Sequence, residues 1–166
     1  MRREHLALVI GLAVMAPSVR AQGPPTCTAS GSIDKGLAFK DSHGRGVLLS
    51  AYGTARLVVS FVASWGIPNR SQLDALNDAR AAIKPSGGSI VAVVVSPSEI
   101  ADLTNLGEKR GVLVPLIAAF DDKAVFSAYG MKALPSTIFV GRSGVIDRCV
   151  SGALSAEAIR EYFDKR

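Results

Sequence analysis

The side chains best suited to covalent chemistry in this chain are its two cysteines, Cys27 and Cys149, which lie near opposite ends of the sequence. A cysteine thiolate attacks disulfides, and two cysteines can close one. In an exported protein, an even number of cysteines favours a structural disulfide. The sequence leaves a second interpretation open, in which Cys27 is an exposed thiol that forms mixed disulfides and Cys149 is a buried, apolar-like residue.

No other set of residues has the spacing of a metal or nucleic-acid site. The sequence contains no zinc-type cluster, and His43 lies in a stretch with turn composition. The net charge of +5 comes without a dense run of Lys or Arg, and aromatic residues make up 6% of the chain. A nucleic-acid binder is expected to have a basic stripe with stacking residues. We therefore expect no metal ion, no cofactor and no nucleic-acid partner.

The first 21 residues have the pattern of a secretory signal peptide. Two arginines at positions 2 and 3 form a basic start, Leu6–Met15 is an apolar run, and Val19 and Ala21 have the small side chains of a cleavage site. We expect cleavage after Ala21, a periplasmic or secreted mature chain, and no stable membrane anchor. An uncleaved anchor is disfavoured because the apolar run is much shorter than the about 20 residues that span a bilayer.

The rest of the chain has the length and composition of one domain. Residues 22–32 are rich in small and polar types and predict an extended lead-in, and residues 33–166 form the domain itself. With 48% hydrophobic residues, the domain can bury a core of its own.

Apolar runs and helical periodicity predict the order of the elements. They are a hairpin from residues 37–40 and 46–52, a strand at 57–64, a helix up to residue 83, a strand at 90–95, a helix to about residue 109, a short helix within 121–129, strands at 136–141 and 145–150, and a final helix. Ser96 or Ser98 is predicted to cap the second helix, and Ser155 the last one.

Two stretches resemble thioredoxin-related proteins of the TlpA-like/redoxin type. Val58–Leu76 matches the active-site stretch of that family, including Trp65 and Pro68, and Tyr129–Val140 resembles the strand that the family begins with a cis-proline, here Pro135. The resemblance covers nearly all of the chain after the leader. It implies an α/β thioredoxin-like fold, with a central mixed β-sheet flanked by helices and an N-terminal β-hairpin extension.

The sequence departs from this family where its chemistry resides. The family motif is Trp-Cys-x-x-Cys, and its first cysteine is a nucleophile favoured by the start of the following helix. Here the two cysteine positions hold Gly66 and Asn69. Neither side chain can attack or resolve a disulfide, so dithiol exchange and peroxide reduction are excluded at this site. Gly66 suits a helix cap, Pro68 suits the first helical turn, and Asn69 can bond free backbone groups.

The resemblance implies that a binding surface persists without the catalytic pair. Family members hold extended substrate chains against the loop before the cis-proline, and that contact needs no sulfur. The leading hypothesis is therefore a non-catalytic module that binds a protein or peptide, with these contact residues: Trp65, Gly66, Ile67, Pro68, Leu134 and Pro135. The alternative is a thiol-disulfide oxidoreductase that uses Cys27 and Cys149 or a partner protein. A third possibility is anion binding at the helix start near Gly66 and Arg70.

Overall fold

In a computed structural model, which describes residues 27–53 and 55–164, seven strands form one mixed sheet flanked by four helices. The strands are β1 (Phe39–Lys40), β2 (Gly46–Val47), β3 (Leu57–Val62), β4 (Ser89–Val95), β5 (Leu116–Ala119), β6 (Ser136–Val140) and β7 (Ile146–Ser151). The helices are α1 (Ile67–Ile83), α2 (Ala101–Arg110), α3 (Asp122–Ala128) and α4 (Ala156–Asp164). Short 3-10 helices occupy Leu49–Tyr52 and Lys84–Ser86. The predicted leader and residues 22–26 of the lead-in lie outside the described residues.

The strand order is β2-β1-β5-β4-β3-β6-β7, with β3, β4 and β5 parallel to one another and the remaining neighbours antiparallel. This arrangement confirms the predicted thioredoxin-like fold and its N-terminal hairpin extension. None of the helices in residues 27–53 and 55–164 has the length and apolar character needed to cross a bilayer.

The central strand β3 is buried along its whole length because both faces of the sheet are covered. Val59 and Phe61 face one hydrophobic cluster, which includes residues of α3 and of the lead-in. Val58 and Val62 face a second cluster, to which α1, α2 and α4 contribute. The apolar face of α1 therefore packs on the sheet through its helical repeat, which includes Leu73, Leu76 and Ala79.

The register of β3 and β6 brings two loops to the same edge of the sheet. Phe61, near the end of β3, pairs with Ser136, the first residue of antiparallel β6. The loop that leads from β3 into α1 and the loop that precedes β6 therefore leave the sheet side by side. The Leu134–Pro135 peptide bond in the second loop is cis.

A disulfide attaches the lead-in to β7, near the other end of the chain. Cys27 and Cys149 form a disulfide with 5.2 Å between their Cα atoms, across 122 positions of sequence. Ile33, the residue after the lead-in, is buried, and its carbonyl accepts a 2.7 Å hydrogen bond from the Tyr129 hydroxyl. Backbone bonds from Ile33 N–H to Gly144 C=O and from Ile146 N–H to Gly31 C=O add a short antiparallel contact with the start of β7.

Several local predictions differ from the structure. The second arm of the hairpin ends at Val47 and continues as the 3-10 helix, so the strand predicted for residues 46–52 is mostly wrong. Neither Ser96 nor Ser98 caps α2: its N-cap residue is Ile100, which makes no side-chain cap bond. The Asp102 carboxylate instead accepts from the N–H of Ser98. The last helix does have its predicted cap, because Ser155 Oγ accepts from Ala158 N–H at 3.1 Å.

The sequence patterns did not indicate β5. Its four residues follow directly after Pro115, and they complete the parallel set by pairing with β4. This run is short and is buried on both faces, so it shows no alternation of apolar and polar residues. The sequence therefore gives little signal for a strand here.

Two tyrosines with raised pKa values predict a loss of stability at alkaline pH. Burial raises the pKa of Tyr129 and of Tyr162 above the ordinary value of about 10, and the Asp147 carboxylate bonded to the Tyr162 hydroxyl raises that pKa further. Above pH 10 the unfolded chain ionises first, so the fully buried Tyr129 should lower the free energy of unfolding by up to about 1.4 kcal/mol per pH unit, and the partly exposed Tyr162 by less because solvent screens its charge. Urea denaturation across this pH range measures the slope. Tyr129→Phe should make it shallower, and an equal slope in both proteins would contradict this account.

Candidate functional site

The loop between β3 and α1 places a glycine where its backbone requires one. Gly66 immediately precedes α1 and has a φ of 87°, in the region that side-chain-bearing residues rarely adopt. Its carbonyl accepts the Arg70 N–H at 3.2 Å, which starts the helical hydrogen bonding. Position 66 therefore lacks a thiol and also has a backbone conformation that favours glycine.

The Asn69 side chain holds this loop from inside. Its Oδ1 accepts the Ala63 N–H at 2.9 Å, and its Nδ2 donates to the Trp65 carbonyl at 2.9 Å. Asn69 is 6% exposed, so these two bonds satisfy polar groups that water reaches poorly. The expectation that Asn69 bonds free backbone groups is confirmed. Where the related motif has a sulfur, this chain has an amide that joins the two ends of the loop.

Around this clamp, the loop presents two large apolar side chains to solvent. Trp65 is 76% exposed and Ile67 is 79% exposed, and Gly66 and Pro68 are also exposed. Large apolar side chains grouped on a surface often mark a contact site. Of the predicted contact residues, these four lie together on one continuous stretch of chain.

Leu134 and Pro135, in the loop before β6, are less exposed than the four contact residues around the start of α1. Pro135 is buried, and the Leu134 side chain is partly buried against the hydrophobic cluster that contains Phe61 and Met131. The carbonyls on either side of Leu134 are bonded: Ser136 Oγ donates to Ala133, and Gly152 N–H donates to Pro135 at 2.8 Å. No hydrogen bond from the described part of the chain engages the N–H or C=O of Leu134 itself. The backbone N–H and C=O of Leu134 therefore have no partner in the segments that the structure describes, whereas its side chain packs towards the core.

Ionisable side chains are scarce in the two loops. No ionisable side chain occurs from Leu57 to Asn69, and Lys132 is the only one from Gly130 to Thr137. The Ser136 hydroxyl is fully buried and already donates to Ala133. Within residues 27–53 and 55–164, no three His, Cys, Asp or Glu side chains gather as a metal site. The two loops therefore present mainly apolar side chains and backbone groups.

The disulfide lies away from this edge. Cys149 pairs with Ile138, three residues along β6 from Pro135, which corresponds to about 10 Å. Its side chain belongs to the cluster on the sheet face opposite α1. Neither cysteine therefore benefits from the start of α1, whose dipole would favour a thiolate. The two cysteines therefore lie away from the exposed stretch of Trp65, Gly66, Ile67 and Pro68.

A set of buried polar side chains beneath α1 was not recognised in the sequence. Ser60 Oγ and Thr137 Oγ1 lie 3.0 Å apart between β3 and β6. Gln72, which is fully buried, accepts the Leu154 N–H at 2.7 Å, and its Nε2 has no partner among the described residues. Ser60 was the available signal, since it is a polar residue within an otherwise apolar central strand.

Removal of the Asn69 amide should destabilise the protein. Asn69→Ala leaves the buried Ala63 N–H and the Trp65 carbonyl without partners, so the free energy of unfolding should fall by about 1–3 kcal/mol. Urea denaturation followed by circular dichroism measures the loss. Arg70→Ala, at the exposed neighbouring position, is the matched control and should change stability by no more than about 0.5 kcal/mol. Equal effects of the two substitutions would show that Asn69 does not hold the loop.

Comparison with known proteins finds relatives whose names describe thiol-disulfide proteins. Over 136 residues the chain is 26% identical to the thiol-disulfide oxidoreductase ResA of Bacillus subtilis, with 82% of this chain and 75% of ResA covered. The structure matches a DsbF homologue from Corynebacterium diphtheriae with a TM-score of 0.68 and 16% identity, covering 93% of this chain and 99% of that one. A secreted Mycobacterium tuberculosis disulfide oxidoreductase, homologous to Escherichia coli DsbE, matches with a TM-score of 0.64 and 12% identity, covering 80% and 97%.

The structural matches show the fold, and a family model shows the ancestry. The fold is that of thioredoxin-like proteins, as the two sequence stretches predicted. The model of the AhpC/TSA family matches residues 32–149, more than two thirds of the chain, and this span includes both loops of the site. The chain belongs to the AhpC/TSA family, with glycine and asparagine at positions 66 and 69.

Proposed function

We propose that this chain is a non-catalytic module that binds an extended segment of a protein or peptide. The observation that carries the proposal is the Asn69 clamp, which gives the loop a fixed shape without sulfur. The clamp holds Ala63 and Trp65 in place, so the exposed side chains beside them are presented in one defined arrangement.

The exposed residues define how such a segment is recognised. Trp65 and Ile67 supply apolar side chains, and tryptophan is among the residues that contribute most to binding energy at protein interfaces. The N–H and C=O of Leu134 are available for β-type pairing with an extended chain, which supplies affinity through the backbone. The partner therefore has an extended segment with at least one large apolar side chain.

The site of action that we propose is outside the cytoplasm, either periplasmic or secreted. The signal-like residues 1–21 support this proposal. The structural match to a secreted Mycobacterium tuberculosis protein and the presence of a disulfide are consistent with it, because disulfides persist in oxidising compartments.

A second candidate is a thiol-disulfide oxidoreductase that uses Cys27 and Cys149. Two observations favour it: the relatives with this activity in their names, and the partial exposure of Cys27. Against it, the disulfide lies on the sheet face opposite α1, away from the helix start that would favour a thiolate. We therefore rank this candidate below binding.

Peptide capture tests the binding proposal. A random peptide library panned on the immobilised oxidised protein should yield enriched extended sequences with a large apolar residue, and Trp65→Ala should weaken their binding about tenfold or more. Leu113→Ala, which truncates another exposed apolar side chain, is the matched control and should leave affinity unchanged. Enrichment that survives Trp65→Ala and Ile67→Ala would contradict the proposed surface.

Insulin reduction by dithiothreitol distinguishes the two candidates. We expect the protein to leave the rate of insulin precipitation unchanged, because no thiol lies at position 66 or 69. The Cys27→Ser/Cys149→Ser double variant is the matched control and should give the same rate as the wild-type chain. Acceleration by the wild type that disappears in the double variant would overturn the binding module in favour of the oxidoreductase.

A further inference from the structure

The disulfide and the loop before Pro135 belong to one connected region of the molecule. Cys149 is buried in the hydrophobic cluster on the face opposite α1, and Cys27 and Leu134 both pack against that cluster. Met131, in the middle of the loop, is buried there as well. A change at the disulfide therefore occurs in the same core that supports Leu134.

A direct contact joins the residue after Cys27 to the residue that begins this loop. Thr28 N–H donates to the Gly130 carbonyl at 3.3 Å. Gly130 has a φ of 56°, and a Cβ at this position would collide with the Thr28 hydroxyl. Glycine at position 130 therefore permits a close approach of the lead-in. Because Cys27 fixes the position of Thr28, the disulfide fixes one side of Gly130.

The neighbouring contacts of the lead-in do not depend on the disulfide. Tyr129 is fully buried, donates its hydroxyl to the Ile33 carbonyl and packs its ring 4.9 Å from that of Phe61 in β3. Residues from Gly31 onward are also held by their backbone bonds to the start of β7. Cleavage of the disulfide should therefore release only residues 27–30 and affect the loop from Gly130 onward, while β3 and the Asn69 clamp stay in place.

We propose that the Cys27–Cys149 disulfide sets the conformation of residues 130–134, so that its reduction by a dithiol weakens peptide binding at Trp65 and Leu134. The binding half of this statement rests on the proposed function; the coupling between disulfide and loop does not. The protein is then a binding module whose affinity follows the redox state of its surroundings.

The chemistry of the switch is ordinary thiol–disulfide exchange. A thiolate of the dithiol attacks Sγ of Cys27, which is partly exposed, whereas Cys149 is only 4% exposed. The Cys149 thiolate leaves and takes up a proton. The second thiol of the reductant then attacks the mixed disulfide, which frees Cys27 and closes the disulfide of the reductant. The chain gains two electrons and two protons, and the dithiol loses the same.

Nuclear magnetic resonance of the full mature chain tests the coupling without any peptide. We compare the oxidised protein, the protein reduced with dithiothreitol, and the Cys27→Ser/Cys149→Ser variant. On reduction, backbone order parameters in residues 130–134 should fall from about 0.85 towards about 0.6, and the double variant should match the reduced protein. Amides of β3 should keep their values. Dithiothreitol should change nothing in the double variant, which shows that the reagent acts through the disulfide.

Affinity for a peptide selected on the oxidised protein gives the second measurement. Reduction should weaken binding roughly fivefold, the effect expected when one hydrogen-bonded support of the loop is lost. Unchanged order parameters in residues 130–134, with both thiols shown by titration to be free, overturn the coupling. Loosening of the loop without any loss of affinity overturns the regulatory role. If the oxidised protein selects no peptide that depends on Trp65, the proposed function fails, and the order parameters still decide the coupling.

Discussion

The two hydrogen bonds of the Asn69 side chain are the constraint on which the shape of the loop between β3 and α1 depends. They join Ala63, at the end of a buried strand, to Trp65, at the start of the exposed surface. Gly66 completes the turn, since its positive φ is available at low cost only to glycine. The two residues that replace the catalytic pair therefore act together, one through its amide and the other through its backbone.

The sheet separates the disulfide from the exposed apolar side chains at the start of α1. In the related motif, both thiols lie at the start of the helix that here is α1, where the helix dipole favours a thiolate. In this chain the cysteines lie on the opposite face, and they tie the lead-in to β7. Sulfur thus stabilises the domain and supports the loop before Pro135, while the edge itself consists of apolar side chains and free backbone groups.

Three polar side chains inside the core, Ser60, Thr137 and Gln72, form hydrogen bonds away from the disulfide. Ser60 and Thr137 satisfy each other across the two strands that lead to the edge, so neither leaves a buried hydroxyl unpaired. Gln72 ties α1 to the segment before α4 through Leu154. The first contact joins β3 to β6, the second joins α1 to the segment before α4, and neither contains an ionisable group.

The sequence by itself determined the chemistry and most of the fold. Glycine and asparagine at positions 66 and 69 exclude a thiol there in any conformation, and the long runs at Leu57–Val62 and Ser89–Val95 are apolar throughout, so β3 and β4 were recognisable from local pattern. Only the tertiary structure decided that Cys27 pairs with Cys149, that Leu134 turns its side chain towards the core, and that β5 forms. Each of these depends on residues far apart in the chain, and local periodicity carries no information about such contacts.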